Sequence, residues 1–303
     1  MSRDGVIAWV ESPLQLLGAA EWAHAHRTVL PVAGRLGPQM SSTAEELLAR
    51  RASFGPMDPY LGIPWKLLAS NGHWVVGDGF SGQFRLAATV LRPRRVTFLD
   101  DGANAVAFAD ALLGRREYAR PGIDERGLTT VVAPLAHETV MRRAAAGRVE
   151  FFTAFDLGAS RLDALGERGV AVRTHGFEWT RASSTGAAGL EGRIVLGSAR
   201  VVDGRMRLAE YVRWVTDAVA GGTAVYLPHR RESAEQLAAV AAVAGITVRR
   251  AAVPVELLLA GARTPLEVVT LPSSTLTTLP LVLAGTGSTV APRPSRGTAQ
   301  VSA

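Results

Sequence analysis

The chain contains no cysteine, which excludes disulfides, thiolate nucleophiles and thiolate metal sites while leaving the redox compartment open. Lys66 is its only lysine, so nearly all positive charge is arginine, a bias that a GC-rich genome produces as readily as selection does. No uncharged run of about 18 or more residues is apolar enough to span a bilayer. Met1-Ser2-Arg3-Asp4-Gly5 leads straight into a short apolar strand rather than a signal-peptide core, so residence in the cytoplasm, with the inner membrane face as one location there, is the expectation. His24 and His26 share a helix and His137 precedes Glu138, but none has a metal-ligand spacing, and no metal is expected. No basic helix with interleaved aromatics appears either, so no nucleic-acid partner is expected.

What is present describes a soluble globular protein: 303 residues, 48% apolar and 20% charged, enough for two domains of about 150 residues each. The net charge of +6 attracts anions, whether nucleotides, acidic glycans or an anionic membrane face, although a solvated basic surface explains it equally. Short apolar runs alternate with helical patterns, as in parallel βαβ units. Strands are expected at Val6–Val10, Thr28–Val32, His73–Val76, Val96–Asp100 and Val149–Ala154, with helices at Leu14–His26, Thr43–Arg51, Gln83–Leu91 and Ala103–Leu113. Thr180–Gly192, rich in small turn-favouring residues, reads as a linker. A second series follows, with strands at Arg193–Leu196, Ala224–Leu227, Thr247–Arg250 and Leu266–Leu271 and helices at Arg207–Ala220, Ser233–Ala244, Val255–Ala260 and Leu276–Ala284. The expected fold is α/β, two Rossmann-like domains (1–182 and 190–290) facing each other across a ligand cleft, with a disordered tail at 291–303.

Polar motifs close several of these strands, where open α/β sheets hold their ligands. Asp100-Asp101-Gly102 follows Val96–Leu99; one carboxylate there can accept a proton from a hydroxyl, or the pair can cap the next helix. His229, in Pro228-His229-Arg230-Arg231-Glu232, stands before a helix and can donate to a phosphate oxygen or protonate a leaving group, or serve structure alone. Ser273 and Ser274 can clamp a phosphate with helix N-terminal amides, or act as an N-cap. Ser12 and Gln15 have capping-box spacing, and their loop could instead line a cleft. Gly77-Asp78-Gly79-Phe80-Ser81-Gly82 fits neither a dinucleotide fingerprint nor a P-loop, and reads as a substrate loop or a simple turn.

Together these motifs resemble the bacterial sialyltransferases and polysialyltransferases of GT-B fold, most closely the alpha-2,8-polysialyltransferase-like group. The likeness is strongest in Glu11-Ser12-Pro13-Leu14-Gln15-Leu16-Leu17 and Tyr226-Leu227-Pro228-His229-Arg230-Arg231-Glu232-Ser233. The resemblance implies that Asp100 of the D/E-D/E-G motif is the catalytic base, with Asp101 and Gly102 supporting it. It implies that His229 contacts the donor phosphate from one side and Ser273 and Ser274 from the other. Glu256, in Pro254-Val255-Glu256, would bind the ribose of CMP, or pair with its own helix dipole. Two positions depart from the pattern: Arg230 replaces the proline after the histidine, and Leu227 stands where some relatives carry lysine. Arg230 would then help neutralise the phosphate.

The resemblance implies an inverting glycosyltransferase in polysaccharide biosynthesis that needs no metal or other cofactor. A CMP-activated nonulosonic acid such as CMP-sialic acid would be its donor, and a glycan or glycolipid its acceptor, with peripheral membrane association where the acceptor is membrane-borne. Because Asp100 falls in the first domain and the phosphate groups in the second, domain closure is expected to assemble the site. The alternatives are a GT-B enzyme using CMP-Kdo, a UDP-sugar or a GDP-sugar, and a non-catalytic nucleotide- or glycan-binding relative.

Overall fold

Strands and helices alternate through two units, Met1–Ser183 and Ser184–Ala303, in the computed structural model, which describes residues 4–100, 102–123, 125–184, 189–219 and 221–293. The boundary falls inside the linker read from composition, of which Thr180 belongs to a helix, Gly192 to a strand, and 185–188 lie outside the described residues.

Unit 1 runs β1 (Val6–Val10), α1 (Pro13–Ala25), β2 (Leu30–Arg35), α2 (Pro38–Ala49), β3 (Phe54–Tyr60), α3 (Trp65–Ser70), β4 (His73–Val76), α4 (Gly82–Leu91) and β5 (Arg95–Phe98). A 3-10 turn at Gly102–Asn104 leads to α5 (Ala105–Leu112), α6 (Leu128–Ala145), β6 (Val149–Thr153), α7 (Ala159–Glu167), β7 (Val170–Thr174) and α8 (Glu178–Ala182). The strands form one parallel sheet in the order β3-β2-β1-β4-β5-β6-β7.

Buried aromatics fill the face beneath this sheet. Trp9 and Trp74 meet edge to face at 6.3 Å, and Phe98 and Phe108 at 4.6 Å. Such pairs add about 0.5–1.5 kcal/mol each beyond the area they bury. On the other face, the Glu150 carboxylate accepts hydrogen bonds from the Trp22 indole (2.9 Å) and the Thr97 hydroxyl (2.9 Å) and pairs with His26 (3.1 Å).

Unit 2 comprises β8 (Gly192–Leu196), α9 (Leu208–Val219), β9 (Ala224–Leu227), α10 (Ala234–Ala241), β10 (Ile246–Val248), α11 (Val255–Leu259), β11 (Leu266–Thr270), α12 (Thr275–Val282) and β12 (Thr289–Pro292). Its parallel sheet has the order β10-β9-β8-β11-β12. The apolar stripe of α9, including Tyr211, Trp214, Val215 and Ala218, packs on one side. Leu259, Leu279 and Leu283 pack on the other.

Both units therefore reverse strand order beside their first strand, between β1 and β4 and between β8 and β11. Ligands of open α/β sheets bind at such points, beyond the carboxyl ends of the strands. One expectation changes at the C-terminus: Ala291 and Pro292, read as the start of a disordered tail, pair with Val269 and Thr270 as β12. Residues 294–303 lie outside the described residues. Among the described residues no helix is long and apolar enough to cross a membrane.

Candidate functional site

In unit 1 the carboxyl ends of β5, β6 and β7 converge on Asp100. Its Oδ2 accepts the Ala154 N–H at 2.5 Å, just past β6, and lies 3.5 Å from Nε2 of His175, just past β7. Oδ1 is buried and has no hydrogen-bond partner among the described residues. The carboxylate therefore reaches across the sheet edge rather than capping the helix that follows; Asn104 occupies that N-cap position. Gly102 supplies the sharp exit, with φ at +60°, a conformation that favours glycine. Asp101 lies outside the described residues.

A cavity of about 530 Å³, within the range of small-molecule pockets, opens beside the β1/β4 switch point. Glu11 and Arg35 pair at 3.1 Å on its wall, Asp78 pairs with Arg120, and fully buried Arg85 meets both oxygens of Glu125 at 2.7 Å. The opening motif contributes Glu11 to this wall, not the expected Ser12 and Gln15. Those two do the structural work: Ser12 Oγ accepts the Gln15 N–H at 3.4 Å, and Gln15 Oε1 accepts the Glu11 N–H at 2.7 Å. The glycines around Asp78 are packing requirements. A Cβ on Gly77 would lie 2.3 Å from Gln15 Oε1, and one on Gly79 would lie 2.2 Å from the Phe108 ring.

One cluster in unit 1, Glu21, His175 and Glu178, places potential metal-ligand atoms within 4.8 Å of one another. Glu21 is already engaged by the Trp179 N–H (3.1 Å), the Thr180 N–H (2.7 Å) and the Thr180 hydroxyl (2.5 Å), which tie α8 to α1.

Unit 2 gathers a polar edge from the loops after β9, β8 and β11, three neighbouring strands. His229 Nδ1 accepts the Arg231 N–H at 3.2 Å, which leaves the ring proton on Nε2. Burial, then the Arg231 and Arg230 charges, hold this imidazole below its ordinary titration range, so at neutral pH it is an uncharged N–H donor. Arg231 is bound to Asp203 at 2.8 and 3.0 Å, while exposed Arg230 has no ion pair among the described residues.

Beneath His229, Glu232 holds the loop. Its carboxyl accepts the His229 N–H at 2.8 Å and the Tyr226 hydroxyl at 2.9 Å, and Tyr226 meets the Tyr211 hydroxyl at 2.7 Å. Burial pushes Glu232 up to about 7 despite these bonds. Gly197, at the end of β8, is closed against this loop: a Cβ there would lie 2.0 Å from Glu232 Oε1 and 2.5 Å from the His229 nitrogen. Arg200 spans to the loop after β11, donating to the Pro272 carbonyl at 3.0 Å.

Ser273 and Ser274 begin α12 without spending their hydroxyls on a cap; Ser273 Oγ instead meets Thr275 Oγ1 at 2.7 Å. The strands that lead to His229 and to the serine pair, β9 and β11, flank β8 and lie about 10 Å apart by strand spacing. Glu256 differs, being buried in the first turn of α11, with Oε1 accepting the Thr278 hydroxyl at 2.8 Å and burial raising its titration point.

His175, Ser198, Arg200 and Glu232 were not singled out from sequence. The strand-end rule applied to β8 would have pointed to Gly197-Ser198, and Glu232 follows His229 by one helical turn.

No family model matches the chain, and no curated protein matches it. Among solved structures, one described as a UDP-N-acetylglucosamine 2-epimerase from Listeria monocytogenes aligns over 96% of this chain and 79% of its own, at 14% identity and TM-score 0.51. A UDP-glucose:anthocyanidin 3-O-glucosyltransferase in complex with UDP aligns over 97% and 81%, at 11% identity and TM-score 0.54. The chain has the GT-B type of α/β fold, with two Rossmann-like units.

Proposed function

We propose that the chain is an inverting glycosyltransferase that moves a nonulosonic acid from a CMP-activated donor to a glycan or glycolipid acceptor without a metal. The observation that carries this reading is the set of hydrogen-bond donors gathered at neighbouring strand ends of unit 2. His229 Nε2–H and two serines whose hydroxyls do not cap α12 stand just beyond the strands flanking β8, with Arg230 as the nearby cation. Hydroxyls, a neutral imidazole and an arginine can hold a phosphate diester with no metal.

As the bond between the sugar and the phosphate breaks, its electron pair passes to a phosphate oxygen. Donors aimed at that oxygen stabilise the developing charge. The His229 N–H, the serine hydroxyls and Arg230 fill this role, while Glu256, oriented by Thr278, takes the ribose. The new bond forms between the acceptor oxygen and the sugar, and Asp100 Oδ1 takes the acceptor proton. Asp101 and Gly102 support its loop. The cavity beside Asp78 has the size to hold part of a glycan acceptor, with the charged groups of Glu11, Arg35, Asp78 and Arg120 set in a largely apolar wall. The positive net charge favours an acidic acceptor or one carried on an anionic membrane face.

A second reading, another nucleotide sugar, is favoured by the UDP in the names of both structural neighbours. A panel of CMP-, UDP- and GDP-sugars with mixed glycan acceptors separates the two. Transfer from CMP-sialic acid alone is expected, and Asp100→Asn should lower it by about 10²–10⁴-fold with CMP binding nearly intact. Turnover of a UDP-sugar, or a large loss of CMP affinity in Asp100→Asn, would overturn the assignment.

A further inference from the structure

We propose that His175 is the positioning residue of Asp100: its Nε2–H fixes one carboxylate oxygen so that the other meets the acceptor hydroxyl. The proposal rests on the reading of Asp100 as the base.

Asp100 is held asymmetrically. Oδ2 has the Ala154 N–H and His175 Nε2, whereas Oδ1 is buried with no partner among the described residues. A carboxylate serving structure alone would have both oxygens satisfied, because a buried unpaired acceptor is costly. The free oxygen is the one a bound hydroxyl would occupy.

The histidine itself is rigidly seated. Its ring stacks on Phe152 at 4.6 Å with 7° between planes, and meets Phe177 edge-on at 4.9 Å. Its backbone N–H donates to the Thr153 carbonyl at 3.0 Å, so β6 sets the height of the ring above the sheet. Nδ1 is buried and unpartnered among the described residues, leaving the Asp100 side as the ring's polar contact.

The charged groups around the ring come from three elements. Asp100 stands at the end of β5 and Glu21 on α1, and Glu178 on α8 accepts the Gly176 N–H at 2.9 Å. Arg181, on α8, donates to the Gly176 carbonyl. The 3.5 Å separation from Asp100 is an ion-pair distance; catalytic contacts of this kind tighten when the reacting group binds.

The test combines a spectroscopic and a kinetic reading on the full-length protein. Ring ¹⁵N spectra of histidine-labelled protein should show His175 protonated on Nε2, with that signal moving in Asp100→Asn. An unmoved signal refutes the pairing whatever the enzyme's activity. In transfer assays, His175→Phe, which keeps the stacking on Phe152, should lower kcat about 100-fold, the scale of a small misplacement of a reacting group, with the donor KM unchanged. His175→Gln, whose amide N–H falls near the Nε2 position, should recover most of that loss. Equal losses in both variants, or a loss carried by donor KM, would overturn the positioning role. A wild-type protein that turns over no CMP-sugar while the His175 signal still answers to Asp100→Asn would sink the glycosyltransferase reading and leave the pair standing.

Discussion

Replacing Glu232 by glutamine isolates the carboxyl beneath the His229 loop. Burial raises Glu232 from 4.5 to about 7, so the folded unit holds this proton across a range where the unfolded chain has released it. At 1.36 kcal/mol per pH unit, the difference is about 3 kcal/mol against the ionised form. The sign follows from proton counting: between pH 4.5 and 7 the native state binds more protons than the unfolded state, so stability falls as pH rises and then levels. Glutamine cannot ionise, and its carbonyl still accepts from Tyr226 or the His229 N–H. The stability of Glu232→Gln minus that of wild type should therefore rise by about 3 kcal/mol from pH 4.5 to pH 8.

Unit 2 offers a clean reporter for this measurement. Trp214 is its single tryptophan, buried, with its indole N–H bonded to the Arg293 carbonyl at 2.7 Å. Urea titrations followed by ¹⁹F NMR of 5-fluorotryptophan at Trp214 read unit 2 alone, which matters in a chain of two units that need not unfold together. A stability difference independent of pH would refute the account of Glu232.

Gly197→Ala should weaken nucleotide binding by at least tenfold in calorimetry, because its Cβ meets backbone at His229 as well as the Glu232 carboxyl; unchanged affinity would show that the loop is not held from β8. In unit 1, burial and then Arg95 lower His73 from 6.5 to about 4, so its contribution is full above pH 6.5 and lost as pH falls toward 4, by about 3 kcal/mol. His73→Gln should flatten the stability of unit 1 over that range in denaturation monitored at its own tryptophans. Glu150, which hydrogen bonds from His26 and Trp22 hold at about 2 against the opposing effect of burial, should add further loss below pH 4.5 in both proteins.

The central strands of both sheets were readable because strands buried on both faces are apolar runs: Val6–Val10, His73–Val76 and Ala224–Leu227 have the same bounds in sequence and structure. The strands that escaped are β3, β7 and β12, all at sheet edges. Two carry prolines, at Pro56, Pro59 and Pro292, which an edge strand tolerates because it need not donate to a further neighbour. The third is half exposed, so its apolar pattern is broken.

Missing β7 had a consequence for the site, since His175 is its first residue beyond the sheet. Asp100, His229 and the serine pair were legible because each closes a strand with an apolar signature. Glu232 was not, because its importance comes from burial and from the Tyr226 and Gly197 contacts, which no local pattern encodes.

The most direct test of the central claim is isothermal titration of the purified protein with CMP, UMP and GMP, in wild type, His229→Ala and Ser273→Ala. The account predicts selective binding of CMP that both substitutions abolish. CMP binding no tighter than UMP or GMP would contradict it, and the strand-end motifs would then belong to the scaffold of a different nucleotide-sugar protein.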